Sequence, residues 1–245
     1  MRLTRLYDPQ SLALHQTIEL DLFAAKHIAL VLRAQVGDEV IVFNGTGGEY
    51  RGCIQGIKKQ KVFVALGHFD SREVESSLKT HLIQVISSAD KMDYTLQKAT
   101  ELGVTEVTPV FAERGHKKLD AARSQKRDEH WRRVIISACE QCGRNILPQL
   151  NSVLSLENCL EGVRSSLRFV ADHRAEKSLK EYAAQINTSS ELSILIGAEG
   201  GLSEFDIDVA KRFEFQSLRL GPRVLRTETA AVAALSLLQY VWGDL

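Results

Sequence analysis

Two glycine-centred segments in the last third of the chain have the make-up of ligand-binding loops. They are Ile196-Gly197-Ala198-Glu199-Gly200-Gly201 and Leu220-Gly221-Pro222-Arg223-Val224-Leu225-Arg226-Thr227-Glu228-Thr229-Ala230. Each follows a short apolar run that reads as a buried strand, and each runs into a helix. Glycine lets a backbone come close to a ligand, and free amides at a following helix N-terminus favour polar or anionic groups. The second segment adds Arg223 and Arg226, then Thr227-Glu228-Thr229 at a helix start. Two such loops this close in sequence belong to neighbouring parallel strands and can face one small ligand at the strands' carboxyl ends. On physics alone they support a small-ligand site and no particular ligand.

Other chemistries are set aside by spacing. No Gly-x-Gly-x-x-Gly follows a strand, no Walker lysine follows either loop, and there is no Gly-x-Ser-x-Gly elbow. Gly45-Thr46-Gly47-Gly48 lies inside a hairpin and reads as a turn. Cys139-Glu140-Gln141-Cys142 lacks two further zinc ligands at similar spacing and falls late in a helix, so it reads as two ordinary thiols. His130 and His173 carry no pattern that marks them as functional.

The elements that must position the loops divide the chain. Residues 1 to about 70 read as all-β: Glu39–Phe43 is a strand, Asn44-Gly45 begins a turn, Tyr50–Ile57 returns, and Val62–Leu66 is a third strand. Residues 71–79 are polar and apolar-poor, which suits a linker, with the second domain over 80–245. There strands alternate with helices. Leu82–Ile86 is a strand, Asp90–Leu102 a helix with Gly103 as its C-cap, and Val104–Phe111 a strand. Leu167–Ala171, Leu192–Ile196 and Phe215–Leu220 are further strands, so the pattern is α/β with a parallel sheet. Ser203-Glu204-Phe205-Asp206 resembles a capping box that starts a helix after the first loop. The last helix, about Thr229–Trp242, is apolar nearly all round, which implies burial on more than one side or a dimer interface.

Bulk composition bounds the rest. The 245 residues carry 31 Lys plus Arg and 31 Asp plus Glu, a formal net charge of zero. Between Ala112 and Arg144, however, nine Lys or Arg face five acids, a local excess that suits phosphate contact or, more blandly, a solvated helix face. The N-terminus has no apolar signal region, no segment reaches membrane-span length, and four cysteines without framework spacing fit a reducing cytoplasm.

With these residues in view, the sequence resembles the SPOUT superfamily of knotted methyltransferases, and within it the bacterial 16S rRNA (uracil-N3)-methyltransferases. The two glycine loops carry the resemblance. Lys98-Ala99-Thr100-Glu101-Leu102-Gly103-Val104 and Glu140-Gln141-Cys142-Gly143-Arg144 extend it, as do Val31-Leu32-Arg33, Gly37-Asp38-Glu39-Val40 and Gly47-Gly48-Glu49-Tyr50-Arg51. The likeness covers nearly the whole chain. Departures are Ala198, where proline is usual, and Gly115, where serine is usual.

The resemblance implies a PUA-like β-barrel that helps bind rRNA, then a SPOUT α/β domain whose last segments form a trefoil knot, and a cytoplasmic homodimer that uses no metal and no membrane. It implies S-adenosylmethionine (SAM) against Leu195, Ile196, Gly197, Ala198, Glu199, Gly200 and Gly201 and against Leu220, Gly221, Pro222, Arg223, Val224, Leu225, Arg226 and Thr227. The reaction would be methyl transfer to N3 of one uridine of 16S rRNA in the small ribosomal subunit. N3 carries a proton on the Watson–Crick edge, so the base must be unpaired and the proton removed. Arg226, Arg144 and Arg114 are the candidates for stabilising developing anion, and Glu140 and Glu228 for the base. Arg33, Arg51, Lys117, Lys118, Arg123 and Lys126 are the candidate phosphate contacts. Other readings are a SPOUT enzyme acting on tRNA or 23S rRNA, and a non-catalytic ribosome assembly factor.

Overall fold

The computed structural model describes residues 3–113, 121–186 and 190–245, except the side chains of residues 30–31 and 121–123. The chain forms two compact units. The first holds residues up to Glu75 together with Ile136–Leu147, and the second holds Ser76–Ile135 and Pro148–Leu245.

In the first unit, β1 (Thr4–Tyr7), β2 (Thr17–Glu19), β3 (Glu39–Phe43), β4 (Glu49–Lys58) and β5 (Lys61–Asp70) make one mixed sheet in the order β1-β3-β4-β5-β2. β1 runs parallel to β3, and the other pairings are antiparallel. Bulges between Arg51 and Gly52 and between Ile54 and Gly56 bend β4, as extra residues in one strand do. Leu6, Ile18, Val40, Val42, Ile54, Val62, Val64 and Leu66 from all five strands share one core. A barrel is the expectation here; among the described residues the ladders stop at β1 and β2 without joining them. Nor is the unit all-β. Asp21 accepts from the Ala24 N–H to cap α1 (Leu22–Lys26), which continues as a π-helical turn over His27–Val31. Its Ala24, Ala25 and Ile28 enter the core.

Residues 136–147 join this unit through buried charge. Arg5, only 6% exposed, pairs with Glu49, donates to the Arg144 carbonyl at 3.0 Å and to Asn145 Oδ1 at 2.7 Å, and stacks 4.8 Å over Phe43. Arg144 in turn clasps Glu75. Removing one member of such a pair would strand a buried charge, at a cost of about 3–5 kcal/mol.

The second unit is a parallel sheet in the order β12-β10-β11-β6-β7-β8: β6 (Lys79–Val85), β7 (Glu106–Phe111), β8 (Gln149–Leu150), β10 (Leu167–Ala171), β11 (Glu191–Ile196) and β12 (Gln216–Leu218), with the short β9 (Leu154–Ser155) also on β7. Its helices are α2 (Ala89–Glu101), α3 (Ala121–Cys142, which passes on into the first unit's residues), α4 (Leu156–Gly162), α5 (Leu179–Ala183), α6 (Glu204–Arg212) and α7 (Thr227–Trp242). Side chains alternate across each strand. Ile83, Val85, Val110, Val170 and Leu195 meet α4 and α6 on one face. α2 and α7 pack together, and α7 reaches β11. Helix ends follow the local code. Gly103 has φ +77° just past α2, and Ser203 and Asp206 form the expected reciprocal capping box on α6. Phe169 on β10 is fully buried beside Tyr182, edge-on at 5.0 Å, and Trp242, stacked at 6.3 Å. Such pairs contribute about 0.5–1.5 kcal/mol beyond their burial.

Candidate functional site

The order β12-β10-β11 puts three strand ends side by side, and their loops enclose a cavity of about 490 Å³. From β11 come Ile196, Gly197, Ala198, Glu199, Gly200 and Gly201. After β12 come Leu220, Gly221, Arg223, Val224, Leu225, Arg226 and Thr227. The structure therefore brings the two glycine loops onto one space. Leu195 and Pro222 flank it without lining it. A third loop, which sequence reasoning missed, follows β10: Ala171, Asp172, His173 and Arg174 also line the cavity, as does Lys91 of α2. This loop has no glycine to announce it, but β10 ends between the other two strands.

The first loop is a closed turn. The Gly201 N–H donates to the Ala198 carbonyl at 2.9 Å. A proline at position 198 keeps that carbonyl, so the alanine found here does not cost the turn its closing bond. A Cβ on Gly197 would sit 3.0 Å from the Gly201 carbonyl carbon and 3.1 Å from Leu202, a tight fit in which those neighbours would have to give by a few tenths of an ångström. Glu199 is tied outward: its Oε1 accepts from the Ser88 N–H at 3.0 Å and from Lys91 Nζ at 3.1 Å. Burial would raise its pKa, but these donors, its own N–H and the Ser88 hydroxyl outweigh that and hold the carboxyl at about 2. It is therefore an anion at the cavity edge at any physiological pH. In the third loop Asp172 Oδ1 accepts from the Arg174 N–H and from Arg174 Nε, both at 3.0 Å.

The second loop begins where an added Cβ at Gly221 would meet nothing within 4 Å; the same holds at Gly200 and Gly201. These positions leave open space against bare backbone. Arg223 and Arg226 are exposed, and Val224 is 76% exposed.

The reaction-centre candidates separate. Arg226 lines the cavity. Arg144 and Glu140 belong to the first unit and do not line it. Arg144 is 3% exposed, and its Nε donates to Glu75 at 3.0 Å while its Nη2 donates to the same carboxylate at 2.5 Å. The Arg144 guanidinium, a candidate for stabilising developing anion, is thus already paired with Glu75. Glu140 accepts from the Tyr7 N–H at 3.0 Å, and burial pushes its pKa up. Glu228, half-buried in the first turn of α7, has a buried Oε2 without a hydrogen-bond partner among the described residues, but it does not line the cavity. Arg114, Lys117 and Lys118 lie outside the described residues, as does the side chain of Arg123. Arg33, Arg51 and Lys126 are exposed, Arg33 with φ +52°. Cys139 is buried, and burial pushes its thiol to about 12, while Cys142 is half-buried and unlinked, in line with two ordinary thiols. Among the described residues no group of three or more His, Cys, Asp or Glu could hold a metal ion, and no helix is long and apolar enough to cross a membrane.

SAM suits this donor set. The cavity volume falls in the usual range for small-ligand sites, about 300–1,000 Å³. Apolar Ile196, Leu218, Leu220 and Ala230 offer walls for an adenine ring, and glycine backbone offers polar atoms at close range. Asp172, Arg174 and Lys91 bring both signs of charge, as a ligand with amino, carboxylate and sulfonium groups requires.

Known proteins match both units. A family model described as an RNA methyltransferase domain covers residues 74–239, and one described as an RNA methyltransferase PUA domain covers residues 24–66. The ribosomal RNA small subunit methyltransferase E of Buchnera aphidicola from Schizaphis graminum is 34% identical over 100% of this chain and 98% of its own length. The chain belongs to the ribosomal RNA small subunit methyltransferase E family. Within it, the Bacillus subtilis member is 30% identical over 87% of this chain and 86% of its own. Two solved structures match over the full length of both chains. A Legionella pneumophila methyltransferase with its cofactor SAM bound is 38% identical with a TM-score of 0.96. The Neisseria gonorrhoeae methyltransferase E bound to SAM is 34% identical with a TM-score of 0.91.

Proposed function

We propose that this family member transfers the methyl group of SAM to N3 of a single uridine in 16S rRNA of the small ribosomal subunit. The observation that carries the reading is the cavity itself. It is built by both glycine loops at the ends of three parallel strands, in a chain whose full-length structural relatives bind SAM. Bound there, SAM supplies an electrophilic methyl group on a sulfonium. The chain's own residues supply the rest. Residues 195–201 and 220–227 hold the cofactor mainly through backbone. Arg226, exposed at the cavity, meets the uracil and stabilises negative charge on its carbonyl oxygens as the N3 proton leaves. Of the two carboxylates considered for that proton, Glu228 is retained, because Glu140 is already engaged by Tyr7.

RNA is held by the exposed cations Arg33, Arg51 and Lys126, together with Lys117, Lys118 and Arg123. The last segments of the chain are assigned to a trefoil knot, and the first unit to a PUA-like RNA-binding domain. A homodimer forms on the outer stripe of α7, where Leu237 is 39% and Tyr240 74% exposed, large apolar faces for a lone helix. The enzyme works in the cytoplasm.

Calorimetry with SAM, beside single-turnover methylation of small subunits, tests the assignment. Arg226→Ala is expected to keep cofactor affinity within a few-fold while the rate falls by roughly 10²–10³, the effect of losing one preorganised charge stabiliser. An unchanged rate would remove Arg226 from the reaction.

A further inference from the structure

The centre of the parallel sheet carries one side chain with no packing reason to be polar. Gln84 sits in β6 between Ile83 and Val85, fully buried, in register with Ile196 of β11 on one side and Pro109 of β7 on the other. It does not line the cofactor cavity. Its Nε2 donates to Thr227 Oγ1 at 3.0 Å and to the Val85 carbonyl at 2.9 Å, and makes only a long contact, 3.5 Å, with the Gly197 carbonyl directly. Thr227 Oγ1 donates onward to the Gly197 carbonyl at 2.5 Å. Gln84 Oε1 has no partner among the described residues, so the amide is committed to donating. Thr227 is 5% exposed and opens α7, and Gly197 opens the first loop. One hydrogen-bond chain of fixed direction, from Gln84 Nε2 to Thr227 Oγ1 to Gly197 O, therefore links the middle of the sheet to both loops.

We infer that Gln84 is a positioning residue that locks the two cofactor loops to each other through Thr227. It touches neither cofactor nor RNA. It sets where the Gly197 turn stands relative to Arg226, the N-cap of α7 and the residue before Thr227. A buried amide kept only for packing would be replaced by an apolar side chain of like shape at little cost, whereas a donor that orients a threonine hydroxyl has no apolar substitute. The inference rests on the reading of the cavity as the SAM site.

Two near-isosteric variants break the chain at different links. In Gln84→Glu a carboxylate replaces the donor, and Thr227 must turn its hydroxyl proton away from Gly197. In Thr227→Val the relay atom is removed. Each is expected to weaken SAM binding by about tenfold or more, the free-energy scale of one buried hydrogen bond left unmade. The double variant should be no weaker than the weaker single one, because both cut the same chain. Thr227→Ser, which restores the hydroxyl, should recover most of the affinity. Loss of folded protein alone would lower the active fraction and kcat but leave Kd and KM for SAM at their wild-type values. Hydrogen exchange on the unliganded protein supplies the readout that needs no cofactor: both variants should speed exchange at the Gly201 N–H. Wild-type SAM affinity and unchanged exchange at Gly201 in both variants would overturn the inference. If wild type itself bound no SAM, the cavity reading would fall, and faster exchange in the variants would still establish the lock between the loops.

Discussion

The two ends of the parallel sheet are finished in opposite ways. At the carboxyl end, β10, β11 and β12 open into loops where backbone, glycine and exposed arginines face a cavity. Toward the amino end the polar side chains satisfy one another. His81 Nε2 meets Thr108 Oγ1 at 2.7 Å, Asn151 Nδ2 donates to the same oxygen at 2.7 Å and to Glu106 at 2.6 Å, and Ser165 Oγ donates to Ser193 Oγ at 2.8 Å beside His81 Nδ1. This end also has a cavity, of about 410 Å³, and the bonded side chains His81, Thr108, Asn151, Ser165 and Ser193 form part of its wall. The contrast shows what turns one end of an α/β sheet into a site. Polar and charged groups are present at both ends, but at the carboxyl end glycine backbone from two loops faces the cavity, whereas at the amino end the strands' polar side chains bond to one another. Substitutions should accordingly split into those that change ligand binding and those that change stability.

The largest effect is expected at Gly197. In Gly197→Ala the added methyl presses on the Gly201 carbonyl carbon and Leu202, and the turn must shift by a few tenths of an ångström to admit it. Overpacking of this kind costs about 1–3 kcal/mol, read by calorimetry as a roughly ten- to hundredfold loss of SAM affinity. Normal affinity would mean that the turn's shape does not matter to the ligand, and the comparison would lose its first half. At the other end, Thr108→Val keeps shape and burial but leaves His81 and Asn151 without their shared oxygen. Denaturant unfolding should show about 1–2 kcal/mol less stability with SAM affinity unchanged. A change in affinity would join the two ends.

The smallest effect follows from His81. Burial lowers its pKa from 6.5, and Glu106 offsets part of that. The folded protein therefore takes the proton later than the unfolded chain does as pH falls. The stability contributed by the neutral ring is complete above pH 6.5 and declines as pH drops below it, toward the lower folded value. Unfolding measured at pH 7.5 and pH 5.5 should show the loss, and His81→Gln should flatten it. A slope of the opposite sign would assign the ring a charged role.

What the sequence made legible was local. Gly103 past α2, the Ser203–Asp206 capping box and both glycine loops declare themselves because backbone geometry restricts which residue can stand there. The existence of β6, β7, β10, β11 and β12 was legible from apolar runs bounded by turn residues, although β6 starts earlier than its apolar run, at Lys79, and the two-residue β8 and β9 were not. The pairing of Arg144 with Glu75 and of Glu140 with the Tyr7 N–H was not legible, because these partners are far away in sequence. The same distance hid the membership of residues 136–147 in the first unit. The α1 and π-helical segment, five residues of each, is too short and too irregular to establish a period. The β10 loop was invisible for want of glycine, although strand order alone puts Ala171–Arg174 at the cavity. Gln84 did leave a trace: a lone amide inside the run Leu82-Ile83-Gln84-Val85-Ile86 is costly unless something needs its donor.

Label transfer reads the methylation reaction itself. Purified protein, SAM carrying a labelled methyl group and small ribosomal subunits from cells lacking this enzyme would be incubated, and the RNA digested to nucleosides. N3-methyluridine at a single 16S position is the expected product. Label in a different nucleoside, label only in tRNA or 23S rRNA, or no transfer despite SAM binding would contradict it.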